Sequence, residues 1–476
     1  MTFPELVKRL KKVVGRDAVL DRPEDLMLYE YDAGVTRGTP RAVVFPQSTE
    51  HVAAIMRLAS EAQVPIVPRG AGTGLSGGSI TRHGGIILGF SRMNKILEID
   101  LENQRAVVQP GVVNLDLTNS VSRHGFYFAP DPSSARACTI GGNIAENSGG
   151  PHTLAYGVTV NHVTGLEVVL PDGRVVEFGG KAADSCGYDL TGLFVGSEGT
   201  LGIATKITVK LSRLAEAVAT MLAIYDTIDD AANTVVALTA AGITPAALEM
   251  LDGWTLRTVE EATHAGYPMD SGAVLLIEVE GLREVVRDQE EAVREVCTRQ
   301  HAREIRTAKD ECERQLLWMG RKNAFAAVGR ISHSYYTQDG VIPRTKIPEA
   351  LRHIEQVGKK HGLTIGNIFH AGDGNLHPLI LFDDRDPEQM QRTLAAGKEI
   401  LEYCVSVGGS LTGEHGIGLE KNEMMPFMFS ADDIEVMTRL HHVFNPVSLL
   451  NPQKLLPTPR SCREGPRPPV PVGAPA

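Results

Sequence analysis

Cysteine is scarce and dispersed. The six residues, Cys138, Cys186, Cys297, Cys312, Cys404 and Cys462, contain no C-x-x-C pair. That spacing excludes a zinc ribbon, an iron–sulfur cluster and a disulfide framework, and it agrees with a reducing, cytoplasmic setting. No run of eighteen apolar residues occurs, so a membrane-spanning helix is not expected. Met1 to Val14 carries an amphipathic helical pattern with a Thr2-x-x-Glu5 capping box, not the long apolar core of a signal peptide. Blocks of basic residues are also missing, and the net charge of −11 makes nucleic acid a poor partner. The 476 residues exceed one compact core, so two or three domains are expected.

Glycine, by contrast, is abundant, with 48 residues gathered into a few loops. The first loop is Pro68-Arg69-Gly70-Ala71-Gly72-Thr73-Gly74-Leu75-Ser76-Gly77-Gly78, delivered by a β-α-β unit. Its parts are a strand at Arg41–Pro46, a helix at Thr49–Ala62 and a strand at Val64–Val67. Glycine at this density lets bare N–H groups approach an anion. Gly72-x-Gly74-x-x-Gly77 fits the dinucleotide fingerprint literally, but Ser79 to Gly85 offers no helix after the loop. Without a Lys-Ser/Thr pair it is not a P-loop either. Strands follow at Gly85–Phe90, Ile96–Asp100 and Arg105–Val108, and a helix at Leu115–Arg123 capped by Asn114. A second glycine-rich stretch, Pro130 to Ser134 and Thr139 to Gly150, reads as a run of turns ending near Tyr156-Gly157. A hairpin, Val163–Leu170 and Val175–Phe178, precedes the third loop, Phe194 to Ile203, which leads into a strand at Ile207–Leu211.

Three such loops in this order resemble the flavin-binding domain of the vanillyl-alcohol oxidase and p-cresol methylhydroxylase family, over roughly Gly38 to Leu211. The resemblance implies that Pro68 to Ser76 wraps the pyrophosphate of FAD. Further contacts are implied for Pro130, Asp131, Pro132, Thr139, Gly141, Gly142, Asn143, Asn147, Ser148, Gly149, Gly150, Tyr156 and Gly157. Glu198, Gly202, Ile203 and Asn451 complete the expected set. Neither the loop around residues 68–79 nor that at 139–150 holds a histidine, so FAD is expected to be noncovalent; His152 lies just beyond.

From Ala219 the pattern becomes β-α-β-β-α-β: Ala219–Tyr225, Asp229–Ala241, Pro245–Leu251, Ala273–Glu280, Arg283–Arg299 and Glu304–Ala308. That order predicts a ferredoxin-like cap. Helices are expected from Asp310 to about Arg330 and from Pro348 to His361. The fold class is thus α+β, a two-subdomain FAD-binding domain plus a cap. Residues 1–212 form the FAD-binding domain (core about 38–212) and 213–430 the cap with the substrate and metal site. Residues 431–456 return to the FAD-binding domain, and 457–476, with seven prolines in twenty residues, form a disordered tail.

The strongest motif is Phe369-His370-Ala371-Gly372-Asp373-Gly374-Asn375-Leu376-His377-Pro378, between strands at Thr364–Phe369 and Leu379–Phe382. Two imidazoles brought together by a glycine turn suit a divalent transition metal such as zinc or manganese, and Glu414, flanked by glycines, supplies a carboxylate. The same segments resemble the flavoproteins that include FAD-linked glycolate oxidase catalytic (D) subunits and the D-lactate and D-2-hydroxyglutarate dehydrogenases. Trp318 to Phe325, Tyr335 to Gly340 and Leu449 to Pro452 share the likeness. It implies His370, His377 and Glu414 as metal ligands, His415 as acid/base and Arg321 as partner of the substrate carboxylate. On residue type alone, Arg321 fits an exposed helix charge equally well. Thr337 and Phe325 stand where the 2-hydroxyglutarate branch has polar partners for a distal carboxylate, which favours glycolate or D-lactate. The resemblance also implies an iron–sulfur subunit, a second flavin-domain subunit and membrane quinone as electron carriers, with at most peripheral association at the inner face of the cell membrane. A D-lactate dehydrogenase acting without partner chains, a metal-dependent hydrolase and a nonenzymatic flavoprotein are the alternatives.

Overall fold

The computed structural model describes residues 1–182 and 187–457. All but the first residue of the expected proline-rich tail, together with Cys186 and Cys462, lies outside the described residues. The capping box forms: the Thr2 N–H donates to Glu5 at 2.8 Å, and Phe3–Val14 is helical. The first sheet has four strands, in the order Val19–Leu20, Ala42–Val44, Ile86–Gly89, Ile66–Arg69. The last three run parallel and are apolar and mostly buried, as a covered parallel sheet requires. Helix Thr49–Ala62 makes the crossover, capped by the Ser48 hydroxyl and ended by Gln63 in the left-handed region. The glycine loop therefore leaves the carboxyl end of a parallel strand, where open α/β sheets bind ligands. No helix follows it; Gly70 to Gly78 is turn and bend.

A five-stranded antiparallel sheet stands beside it, ordered Ile96–Asp100, Arg105–Val108, Ile203–Lys210, Val163–Val169, Val175–Gly179. Its central strand starts four residues earlier than Ile207, because Ile203 and Ala204 pair with Val169 and Val168. Two sequence expectations are corrected here. Asn114 is the first residue of helix Asn114–Ser122 and not its cap; its amide instead donates to the Pro130 carbonyl and Asn143 Oδ1. Within the stretch read as turns, Ile140–Glu146 is a helix, capped by Thr139 and closed by left-handed Asn147. Its glycine serves close packing: a Cβ on Gly141 would lie 2.6 Å from Pro110.

The cap begins as expected. Glu304–Thr307, Ala217–Tyr225, Ala273–Gly281 and Ala247–Asp252 form an antiparallel sheet in the ferredoxin-like order 4-1-3-2, with Ile228–Ala240 and Arg283–Arg299 packed on it. The sheet then continues through Ile365–His370, Asn375–Leu376 and Gly340–Val341, with Ser334–Thr337 and Pro378–Phe382 paired alongside. Sequence reading passed over helices Gly253–Thr263 and Pro387–Ser406. The helix expected from Asp310 is two, Glu311–Lys322 and Ala324–Val328, parted at Asn323. After helix Ala431–Phe444 the chain comes back to the first sheet: Ile66 and Asn451 exchange backbone hydrogen bonds with Leu449 and Ile66 at 2.8 and 2.7 Å.

Candidate active site

A cavity of about 690 Å³ opens between the first two sheets and the cap. Every residue from Pro68 to Leu75 lines it. From the later loops come Pro132, Thr139, Gly141, Gly142, Asn143, Ser148, Glu198, Gly202 and Ile203, and from the C-terminal return Asn451. Asn451 stitches two loops together, its amide donating to the carbonyls of Gly78 (3.0 Å) and Glu198 (2.6 Å). Gly70 lies so close under the second loop that a Cβ would sit 2.3 Å from the Thr139 hydroxyl. Gly72 has φ +74°, and a Cβ there would run into the Arg69 guanidinium. At Gly74 a Cβ would meet nothing within 4 Å. These features fit FAD. The volume suits a large ligand, Gly70, Gly72 and Gly74 of the first loop line the cavity, and Asn451 Oδ1 is buried without a partner.

The remaining expected cofactor residues do not line the cavity; they support its walls. The Ser76 carbonyl takes the N–H groups of Leu419 and Glu420. The Pro130 carbonyl holds Asn114, and the Asn147 amide oxygen accepts from Val160. Gly150, at φ +149°, packs on Asp131, Gly149 adjoins Glu414, Gly157 turns the chain at φ +79°, and Tyr156 donates to Glu280 of the cap. Asp131 binds His152 Nδ1 at 2.8 Å, while His152 Nε2 faces Glu278 of the cap at 3.3 Å and the ring stacks on Trp318. Both nitrogens of His152 are thus engaged in a contact between flavin region and cap. Burial pulls its pKa down, but the two carboxylates outweigh that and push it up to about 10.

His377, Glu414 and His415 also line the cavity. His370 ends its strand and does not reach the cavity, but its Nε2 lies 3.1 Å from Glu414 Oε1, and His377 Nε2 lies 3.0 Å from the same oxygen. The two rings are perpendicular at 5.1 Å, and ligand atoms of His370, His377 and Glu414 all fall within 4.8 Å of one another. Two imidazole nitrogens and a carboxylate oxygen, converging in a buried spot, fit a borderline transition ion. His415 stacks flat on His377 at 4.9 Å. Burial holds its pKa down at about 4, against the pull of Asp339, whose Oδ2 is 4.0 Å from Nδ1.

Two acids that sequence reading left without a role hold this wall. Asp339 accepts the backbone N–H groups of Gly413, Glu414 and His415, the Thr412 hydroxyl and the buried ammonium of Lys421. Glu249, fully buried, accepts from Arg321 at 2.6 Å and faces His370 Nδ1 at 2.7 Å. Burial raises its pKa, yet Arg321 and His370 bring it down to about 2. The signal for Glu249 was present: an acid inside the apolar strand Ala247–Asp252.

Arg321 departs from the reading as an exposed helix charge. It is 1% exposed, so it is no surface charge, and it does not line the cavity; its neighbour Lys322 does. One side of its guanidinium grips Glu249, and Nη1 is buried without a partner. Phe325 and Tyr335 line the cavity, whereas Thr337 is buried behind it.

Residues 40–179 match the FAD binding domain family, and residues 214–455 match the C-terminal domain of FAD linked oxidases. Glycolate oxidase subunit GlcD of Escherichia coli K12 is 45% identical over 94% of this chain and 90% of its own. The protein of the same name in Bacillus subtilis is 42% identical over 96% and 97%. A mitochondrial D-lactate dehydrogenase [cytochrome] from Arabidopsis thaliana is 29% identical over 95% of this chain and 80% of its own. Among solved structures, p-cresol methylhydroxylase with substrate bound superposes with a TM-score of 0.81 at 19% identity, covering 95% of this chain and 96% of its own. The 4-ethylphenol oxidase of Gulosibacter chungangensis gives 0.78 at 20%, covering 96% and 97%. Those two likenesses speak for the fold, which is the expected α+β flavoprotein architecture. No helix among the described residues is long and apolar enough to cross a membrane. With both family domains in order along the chain and relatives above 40% identity over nearly its whole length, the protein belongs to the FAD-linked oxidases and is a flavin-dependent oxidoreductase.

Proposed function

We propose that the protein oxidises a small 2-hydroxy acid, glycolate or D-lactate, to the 2-oxo acid. The observation that carries this reading is the cavity itself: the glycine loops and His377, Glu414 and His415 line the same space. The names of its relatives, glycolate oxidase subunit and D-lactate dehydrogenase, give the substrate class. The cradle would hold noncovalent FAD, which would supply a hydride acceptor, and His370, His377 and Glu414 would hold a zinc or manganese ion, which would supply Lewis acidity.

The chain's own residues do the rest. His415, kept neutral by burial, takes the hydroxyl proton. Arg321 offers its unpaired Nη1 to the substrate carboxylate, a charge-assisted bond that orients C2. Phe325 and Tyr335 give the wall an apolar stretch that suits a short acid. Lys322 on the same wall favours a second reading, a dicarboxylic hydroxy acid such as D-2-hydroxyglutarate. Electrons leave through an iron–sulfur subunit and a second flavin-domain subunit towards quinone, since the scattered cysteines build no cluster here. The proposed setting is the cytoplasm, at most peripheral to the inner face of the cell membrane. The test is anaerobic mixing of the purified flavoprotein with glycolate, each lactate and D-2-hydroxyglutarate. Bleaching of the flavin fastest with glycolate or D-lactate is expected. Fastest bleaching by D-2-hydroxyglutarate selects the second reading, and an oxidised flavin with all four refutes both.

A further inference from the structure

Among the described residues, Glu249 is the one side chain hydrogen-bonded to both Arg321 and His370. It sits in the middle of strand Ala247–Asp252, directly opposite His370 in the antiparallel register with Ile365–His370. That pairing points both side chains to the same face of the sheet and sets them a single cross-strand step apart. The carboxylate divides its oxygens between two clients: Oε1 lies 2.7 Å from His370 Nδ1, and Oε2 lies 2.6 Å from both Nε and Nη2 of Arg321. All three side chains are buried, with Glu249 fully so and Arg321 and His370 at 1% and 3% exposure.

Two consequences follow from this arrangement. An imidazole that gives its Nδ1 proton to a carboxylate presents a bare Nε2 lone pair at the other side of the ring, and here Nε2 faces the oxygen of Glu414 and the shared space with His377. A guanidinium held along its Nε–Nη2 edge cannot rotate, so its remaining nitrogen, Nη1, is aimed in one fixed direction. Nη1 is also buried and unpartnered, which leaves it free to bond an arriving acceptor.

We propose that Glu249 is the positioning residue that ties the metal ligand His370 to the anion anchor Arg321, so that one carboxylate sets the register between metal and substrate. This inference rests on the metal-assisted hydroxy-acid reading above. A bare ion pair would only neutralise Arg321; the additional bond to His370 is what makes Glu249 a support of the metal site.

The experiment compares zinc and manganese affinity of the FAD-loaded protein, by competition with a chelator, among wild type, Glu249→Gln and Arg321→Met. Flavin content and the Michaelis constant for glycolate are followed in parallel. Loss of a carboxylate behind a metal-bound histidine weakens metal affinity by roughly 10–100-fold. Glu249→Gln is expected to show that loss and also a raised KM, with FAD retained. Arg321→Met is expected to raise KM while metal affinity stays within about threefold, because His370 keeps its carboxylate partner. Metal affinity of Glu249→Gln less than about tenfold below wild type overturns the proposal. If Glu249→Gln loses FAD as well, Glu249→Asp takes its place, since it keeps the charge beside Arg321 but shortens the reach to His370; the same tenfold criterion decides. A wild-type protein that holds no metal refutes the underlying reading and is thereby distinguished from failure of this one.

Discussion

Pro68 to Leu75 lines the cavity with three glycines among eight residues, whereas His377, Glu414 and His415 bring imidazoles and a carboxylate to it. The glycine wall is one contiguous stretch on the carboxyl end of a parallel strand, and its tolerances are steric. The histidine wall is gathered from separated segments, and its tolerances are electrostatic. Glu414 and His415 are tied through their backbone N–H groups to Asp339, a buried acid more than seventy residues away in sequence, His377 Nδ1 lies 3.2 Å from the Gln338 carbonyl, and behind them Glu249 backs His370. A binding surface made of backbone can be encoded locally. A reactive surface made of buried charge needs a second layer, because an unpaired charge in the interior costs more than its partner's removal saves.

That contrast can be broken from either side. The largest effect short of the ligands themselves is expected at the glycine wall. Gly70→Val drives a Cβ into the Thr139 hydroxyl and pushes the first and second loops apart. Overpacking of this kind should weaken FAD binding by roughly 10²-fold, read as the flavin-to-protein absorbance ratio on dilution. Metal affinity at the other wall should stay unchanged. A parallel loss of metal would mean that the walls are not independent.

Next in size is Asp339→Asn. The side-chain oxygen can still accept one N–H, but the ammonium of Lys421 loses its counter-charge and the Thr412–His415 turn loses part of its anchor. Flavin reduction by the hydroxy acid is expected to slow about 10–100-fold at full FAD content, since small misplacement of a reacting group is enough for that. An equal loss of FAD would assign Asp339 to general stability instead.

The smallest effect concerns the seam between the flavin region and the cap. His152, raised to about 10 by Asp131 and Glu278, stays charged in the folded protein through neutral pH, whereas unfolded it titrates at the ordinary histidine value. Its contribution is therefore complete below about pH 6.5 and fades as pH climbs towards 10. The melting temperature of wild type should exceed that of His152→Gln at pH 6 and approach it by pH 10, a difference of a few degrees. A margin that grows with pH would contradict the ion-pair assignment.

How far the sequence reached follows the same division. The cradle was legible because Gly70, Gly72 and Gly74 lie in one loop after one strand, and the absent helix after Gly78 could be read from Ser79 to Gly85 directly. Helix Ile140–Glu146 was not, because Gly141 and Gly142 carry the entropic signature of a turn; only the contact with Pro110 explains why a helix uses them. The cap's first half was legible from alternating elements, but its continuation through Ile365–His370 depends on pairing with Ala247–Asp252 across more than a hundred residues. His370, His377 and Glu414 were found by residue type and spacing. Glu249 carries a signal as an acid inside an apolar strand, Asp339 has no local pattern, and the partners of both became known only when the fold brought them together. Arg321 was recognised as a site residue, yet its burial and its grip on Glu249 could not be read from a helix sequence that also fits an exposed face.

The most direct measurement is anaerobic flavin reduction in His377→Ala, compared with wild type under saturating glycolate or D-lactate. His377 lies outside the glycine loops of the cofactor cradle, so the variant should retain its FAD in full and keep it oxidised, while wild type bleaches. Bleaching of the variant at the wild-type rate would contradict the assignment of substrate activation to the His370–His377–Glu414 cluster.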